Sequence, residues 1–275
     1  MKRSRKHPKA LTDRGGVRLP IWLQDADREA ELAAAERRGR KLDAELHKNE
    51  EDKDMKKNCN PNITEVVFIL DRSGSMHGLE ADTIGGFNSM LEKQKQTEGE
   101  VLVSTLLFDD VTEVLHDRVK LSDIRPLTRD DYTVRGCTAL LDAVGGAIRH
   151  TRTVQKYARA EDRPAHTLFV ITTDGLENAS RLYTAEQVRH LIEKQQAEQG
   201  WEFIFLGANI DAVQTAAGLG IRADRAANYH ADAKGTALNF ASIACAMSDM
   251  RMGKGINREW AGGINADYAS RESER

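Results

Sequence analysis

Residues Glu65 to Met76 read EVVFILDRSGSM, and this stretch decides the fold. A continuous apolar run, Val66 to Leu70, gives way at once to Asp71, Ser73 and Ser75. A short apolar run rich in β-branched and aromatic residues, closed by turn chemistry, reads as a strand buried on both faces. Such a strand belongs in a sheet covered by helices on both sides. Its polar tip then lies at the carboxyl edge, where open α/β sheets bind ligands.

Outward from this strand, helical and extended patterns alternate. Leu79 to Gln96 reads as a helix, with Ile84, Phe87, Met90 and Leu91 on one face. Val101 to Phe108 is a strand, and Asp109 and Asp110 form a tight turn into another, Val111 to Leu115, which makes a hairpin. Thr138 to Tyr157 is helical, with Leu141, Val144, Ile148 and Thr151 facing inward. Then follow a strand at Thr167 to Thr172, a helix at Ala185 to Gln199 and a strand at Trp201 to Leu206. A short helix at Ala212 to Leu219, a short strand at Ala226 to Tyr229 and a helix at Thr236 to Met250 complete the pattern. The alternation predicts an α/β fold, doubly wound and mostly parallel, with helices on both faces.

The flanks differ in composition. Before Asn58 the chain is mostly charged residues and alanine, with Leu32, Leu42 and Leu46 as sparse anchors and an apolar island, VRLPIWLQD, upstream. Residues 1–58 are therefore expected to form a charged, partly helical or disordered extension, residues 59–252 the domain, and residues 253–275 a polar, loose tail. Met55 is an alternative natural start. The chain has 275 residues, 40% hydrophobic and 30% charged, with a formal net charge of -3, which gives no case for nucleic acid as a partner. The basic start, Lys2 to Lys9, reads as a solvated tail, and no apolar segment follows it before Asp13, so secretion is not expected. Cys59, Cys137 and Cys245 are far apart and fit a reducing cytoplasm. No apolar run approaches the ~18 residues of a membrane span.

The chemistry gathers at strand ends. Asp71 ends its strand, and Asp174 follows the strand Thr167 to Thr172 in the same way. Neighbouring strands would bring both carboxylates into one crevice. Ser73 and Ser75 add hydroxyls at alternate positions of a turn, and Thr138, in a glycine-containing loop before a helix, offers another. The donors are all hard oxygens, without thiolate or imidazole. That favours Mg²⁺, with Mn²⁺ or Ca²⁺ as the other candidates, over zinc or copper.

Asp71-Arg72-Ser73-Gly74-Ser75, then Gly136-Cys137-Thr138-Ala139-Leu140, then Thr173-Asp174-Gly175, resembles the metal-ion-dependent adhesion site of von Willebrand factor A (vWA) domains, over roughly Asn62 to Met250. The resemblance implies a six-stranded sheet of order 3-2-1-4-5-6 with one antiparallel edge strand. It implies that Ser73, Ser75 and Thr138 touch the metal while Asp71 and Asp174 act largely through water. Such domains bind proteins, and an acidic side chain of the partner, Asp or Glu, takes the open metal position. The chain resembles the compact intracellular bacterial members, which work beside AAA+ ATPases or in stress-response clusters.

Other readings compete. Asp71 and the serines are good helix caps. A Mg²⁺-dependent phosphatase using Asp71 as nucleophile is the enzymatic alternative. Ser73 stands where enzymes of that type carry a second Asp, and no phosphate loop or nucleophile elbow is present, so no enzyme is expected. His77 reads as an exposed turn residue, and Cys137 as a small packed one. Asp109, Asp110, Asn209 and Asp211 sit at other strand ends and are explained by turn chemistry as well as by partner choice. Glu177 and Asn178 are better candidates for a partner-facing rim.

Overall fold

The computed structural model describes residues 58–273. The extension, its apolar island, the basic start and the Met55 alternative lie outside the described residues. The sheet runs β1 (Asn60–Asp71), β2 (Glu100–Phe108), β3 (Thr112–Lys120), β4 (Pro164–Thr173), β5 (Glu202–Gly207) and β6 (Ala226–Asn228), in the order β3-β2-β1-β4-β5-β6. Every pairing is parallel except β2 with β3, which forms the edge hairpin. The helices are α1 (Glu80–Lys95), α2 (Leu140–Tyr157), α3 (Ala185–Gln199), α4 (Ala212–Gly218), α5 (Ala233–Arg251) and α6 (Gly262–Glu272).

β1 is central because its sequence tolerates no water on either face. Every residue from Ile63 to Asp71 is buried. Alternate side chains point to opposite faces. Val66, Phe68 and Leu70 join the core built with Phe87 of α1 and Phe240 of α5. Phe68 meets Phe87 edge to face at 5.2 Å, a favourable aromatic geometry. α2 packs on β1 and β2 and also meets α3. Its inner face includes Leu140, Val144, Ile148 and Thr151, whereas Leu141 is only half-buried. The helix begins at Leu140, so Thr138 stays in the preceding loop, and Leu140 takes the buried place expected for Leu141.

The C-terminal segment departs from the expectation of a loose polar tail. Ile256, Trp260 and Ile264 are buried, and α6 packs on α5 and β6. The Trp260 indole N–H donates to the Asp224 carbonyl at 2.9 Å, and Arg225 Nη2 donates to the Ile256 carbonyl at 3.0 Å. Only Ile264 lies in α6; Ile256 and Trp260 are on the turn that precedes it, with Arg258 and Glu259 exposed between them.

The register sets the site. Asp71 lies opposite Phe108, and Leu70 opposite Thr172. The chain leaves β1, β2 and β4 at the same level, so the loops after these strands meet at one edge.

Candidate metal centre

Asp71 is fully buried at the β1 tip. Its Oδ1 accepts from the Ser73 backbone N–H at 2.7 Å, and its Oδ2 accepts from the Thr173 hydroxyl at 2.6 Å. The Asp174 backbone N–H points at Oδ2 from 3.4 Å. The Asp71 carbonyl accepts from the Tyr132 hydroxyl. The carboxylate is thus locked in orientation by neutral donors. Among the described residues neither Asp71 nor Asp174 forms an ion pair.

The hydroxyls converge in front of it. Ser73 Oγ and Ser75 Oγ stand 3.1 Å apart. A methyl group placed on Gly175 would lie 3.2 Å from both Ser75 Oγ and Thr138 Oγ1, so the absence of a side chain there leaves open the space those two oxygens face. Asp174 follows Thr173 at the β4 tip and accepts from Asn209 Nδ2. The five expected residues are therefore gathered on one edge.

Electrostatics fit the same reading. Burial raises the Asp71 pKa, against the hydrogen bonds that lower it. Burial, and secondarily the Asp71 charge, raises Asp174 to about 6, while the Asn209 bond opposes the shift. The buried Tyr229 hydroxyl is also raised, by burial first and then by Asp174 and Asp71. A divalent cation would relieve this buried negative charge. The hydroxyls, carboxylates and clear space are a hard-oxygen set that suits one, with Ser73, Ser75 and Thr138 as the residues to hold it and Asp71 and Asp174 behind them.

The loops are fixed by their own chemistry. The Thr138 N–H donates to Asn178 Oδ1 at 2.9 Å, and the Asn178 N–H returns to the Thr138 carbonyl at 3.1 Å. Glu177 Oε2 accepts from the Leu141 N–H at 2.9 Å, in the first turn of α2, and its carboxylate also accepts from Ala179 and from the Ser180 N–H and hydroxyl. Glu177 and Asn178 thus clamp the β4–α3 loop to the threonine loop. Asn178 stays exposed while it does so, whereas Glu177 is half-buried and turned to the start of α2. The reason is the open helix N-terminus, which draws a carboxylate. Cys137 is exposed, not packed, because its backbone N–H is drawn to Asp110 while Gly136 turns through φ 66°. His77 is exposed beside Glu80. Asp211 caps α4 by accepting from the Gln214 N–H at 2.9 Å.

Sequence reasoning missed Thr173, Tyr132 and the role of Asn209. Thr173 stands beside Asp174 in the stretch that drew attention to that aspartate. Only the strand register places its hydroxyl on Asp71.

The sheet order and the gathering of the five residues are those implied by the resemblance to vWA domains. The chain is similar to proteins of that kind. One is the von Willebrand factor type A structure from Catenulispora acidiphila, 14% identical, covering 70% of this chain and 43% of that one at a TM-score of 0.45. Another is the ArnB paralog VWA2 from Sulfolobus acidocaldarius, 18% identical, over 68% and 44% at 0.41. Proximal thread matrix protein 1 from the mussel byssus, described with a zinc-occupied MIDAS motif, is 13% identical, over 66% and 44% at 0.45. This chain spans less than half the length of each. No family model and no curated protein sequence matches it.

Proposed function

We propose that the domain is a divalent-metal-dependent protein-binding module of the vWA kind. Ser73, Ser75 and Thr138 hold Mg²⁺, with Mn²⁺ or Ca²⁺ as substitutes, and Asp71 and Asp174 balance its charge from behind. The observation that carries this reading is the set of hydroxyls around Gly175, backed by two buried carboxylates that have no cation of their own. Bound there, the metal would present positive charge that its neutral ligands leave unneutralised. A partner's Asp or Glu would gain a charge-assisted bond by completing the shell. The preset loops limit the entropy cost of docking.

The domain is not an enzyme in this reading. The complete burial of Asp71, with both oxygens accepting hydrogen bonds, speaks against its use as a nucleophile. A partner among AAA+ ATPases or stress-response components rests on the resemblance alone, and a cytoplasmic setting on the resemblance and the three dispersed cysteines. No described helix is long and apolar enough to cross a membrane.

The test is capture of partners from the native cell by wild type, Asp174→Ala and Thr138→Ala, each with Mg²⁺ and with EDTA. Proteins retained only by wild type with Mg²⁺ support the reading. Capture unchanged by EDTA and by both substitutions would place the binding surface elsewhere.

A further inference from the structure

The two halves of the metal centre sit on separate loops: Ser73 and Ser75 after β1, Thr138 before α2. A charged staple rooted in the β2–β3 turn joins them. Asp109, at the start of that turn, is buried. Its Oδ2 accepts from Arg72 Nε at 2.9 Å and from Arg135 Nε at 2.8 Å. Its Oδ1 accepts from the Val111 N–H at 2.9 Å, which fixes the carboxylate against its own turn. Arg72 lies between Asp71 and Ser73 and is itself buried, with Nη1 on Glu113 at 2.7 Å. Arg135 belongs to the threonine loop, three residues before Thr138.

Backbone bonds repeat the pattern. The Arg135 N–H donates to the Arg72 carbonyl at 2.9 Å, the Gly74 N–H to the Gly136 carbonyl at 3.1 Å, and the Ala139 N–H to the Asp109 carbonyl at 2.8 Å. Planar guanidinium groups hold a carboxylate with directional bonds, so this staple fixes the distance between loops as well as compensating charge. Asp109 and Glu113 also offset the two guanidinium charges, which would otherwise repel a cation a few residues away.

We infer that Asp109, acting through Arg72 and Arg135, is a positioning residue for the metal centre, holding the serine loop and the threonine loop in the register that lets their hydroxyls share one ion. The inference rests on the reading of this edge as a metal site. It assigns the edge hairpin a part in binding that neither the five-residue motif nor turn chemistry gives it.

The experiment uses the full chain in four forms: wild type, Asp109→Asn, Arg135→Gln and the double substitution. The Arg135 side chain is about half exposed, so Arg135→Gln keeps the test open should Asp109→Asn fail to fold. Mg²⁺ affinity is read by calorimetry, and amide hydrogen exchange is read without metal at Gly74 and Ala139, with Phe68 and Ile69 as core references. The expected result is roughly tenfold weaker Mg²⁺ binding for each single variant, with the double no weaker than the worse single, because the two act as one unit. Exchange at Gly74 and Ala139 should rise about tenfold while Phe68 and Ile69 hold. Folded variants with wild-type affinity would overturn the positioning role, whatever their exchange. A wild type that binds no Mg²⁺, with exchange at Gly74 and Ala139 still raised in the variants, would overturn the metal reading instead. The staple would then be a structural joint only, and the positioning role would fall with the metal.

Discussion

β1 carries two completely buried carboxylates, Glu65 and Asp71, on the same face of the sheet and about 20 Å apart. They meet opposite fates. Glu65 is paired inside the fold: Arg118 Nη1 bonds its Oε2, and Gln155 Nε2 donates to the same oxygen at 2.8 Å while also donating to Thr167 at 2.9 Å. Burial raises its pKa, and Arg118 and Gln155 pull it back. Asp71 has only neutral donors, and a second carboxylate, Asp174, stands nearby. A buried charge is tolerated when it is paired. Glu65 is paired by the chain itself, so it is part of the fold. Asp71 and Asp174 have no cationic partner among the described residues, and the proposed divalent cation would supply one.

The sharpest way to break this comparison is to remove each carboxylate in turn. Glu65→Ala should destabilise the fold by about 3 kcal/mol, because it strands a partly buried Arg118, and should leave Mg²⁺ affinity unchanged. Chemical denaturation and calorimetry on the same sample check both halves. Asp71→Asn should do the reverse. Mg²⁺ affinity should fall at least ~100-fold, about 2.7 kcal/mol, while the metal-free protein melts close to wild type, since the buried negative charge removed offsets the hydrogen bond that the amide NH₂ cannot accept. A metal-free Asp71→Asn that melts far below wild type would make Asp71 a structural residue like Glu65.

A smaller effect is expected from Thr138→Ala, which removes a hydroxyl and no charge: about tenfold in Mg²⁺ affinity, read by calorimetry, with an unchanged melt. The pH dependence sharpens the same point. Asp174 has its folded, metal-free pKa raised to about 6, so its ionisation costs stability increasingly as pH rises from the ordinary carboxylate range through 6. A cation removes that cost. The rise in melting temperature caused by Mg²⁺ should therefore be larger at pH 7.5 than at pH 5, and Asp174→Asn should flatten the difference. The smallest effect belongs to His77→Ala, under twofold on Mg²⁺ affinity by the same calorimetry, because His77 is exposed and turned toward Glu80.

The fold and the gathering of the five residues at one sheet edge were legible because each rests on a local pattern. An uninterrupted apolar run of strand length, an alternation of periods and oxygen-bearing residues at strand ends need no knowledge of what lies opposite. What could not be read depends on register or on competition between neighbours. Thr173 acts on Asp71 through the β1–β4 register, and one residue of slip would turn its hydroxyl away. Glu177 and Asn178 read as rim residues, but their bonds to the amides at the start of α2 and in the threonine loop could not be read. Asp109 looked like turn chemistry because Arg72 and Arg135 are distant from it in sequence. At the C-terminus Ile256, Trp260 and Ile264 are isolated among polar residues and glycines, and only the packing of the turn before α6 and of α6 itself shows them buried.

The central claim is that Asp71 and Asp174 hold unmatched charge for a divalent cation, and one measurement tests it most directly. Metal-stripped wild type, Asp71→Asn and Asp174→Asn are melted at pH 7.5 with and without millimolar Mg²⁺. The account predicts a rise in melting temperature for wild type that grows with Mg²⁺ concentration, and little or none for either variant. A wild-type melt that ignores Mg²⁺, Mn²⁺ and Ca²⁺ alike, or variants that gain as much as wild type, would contradict it.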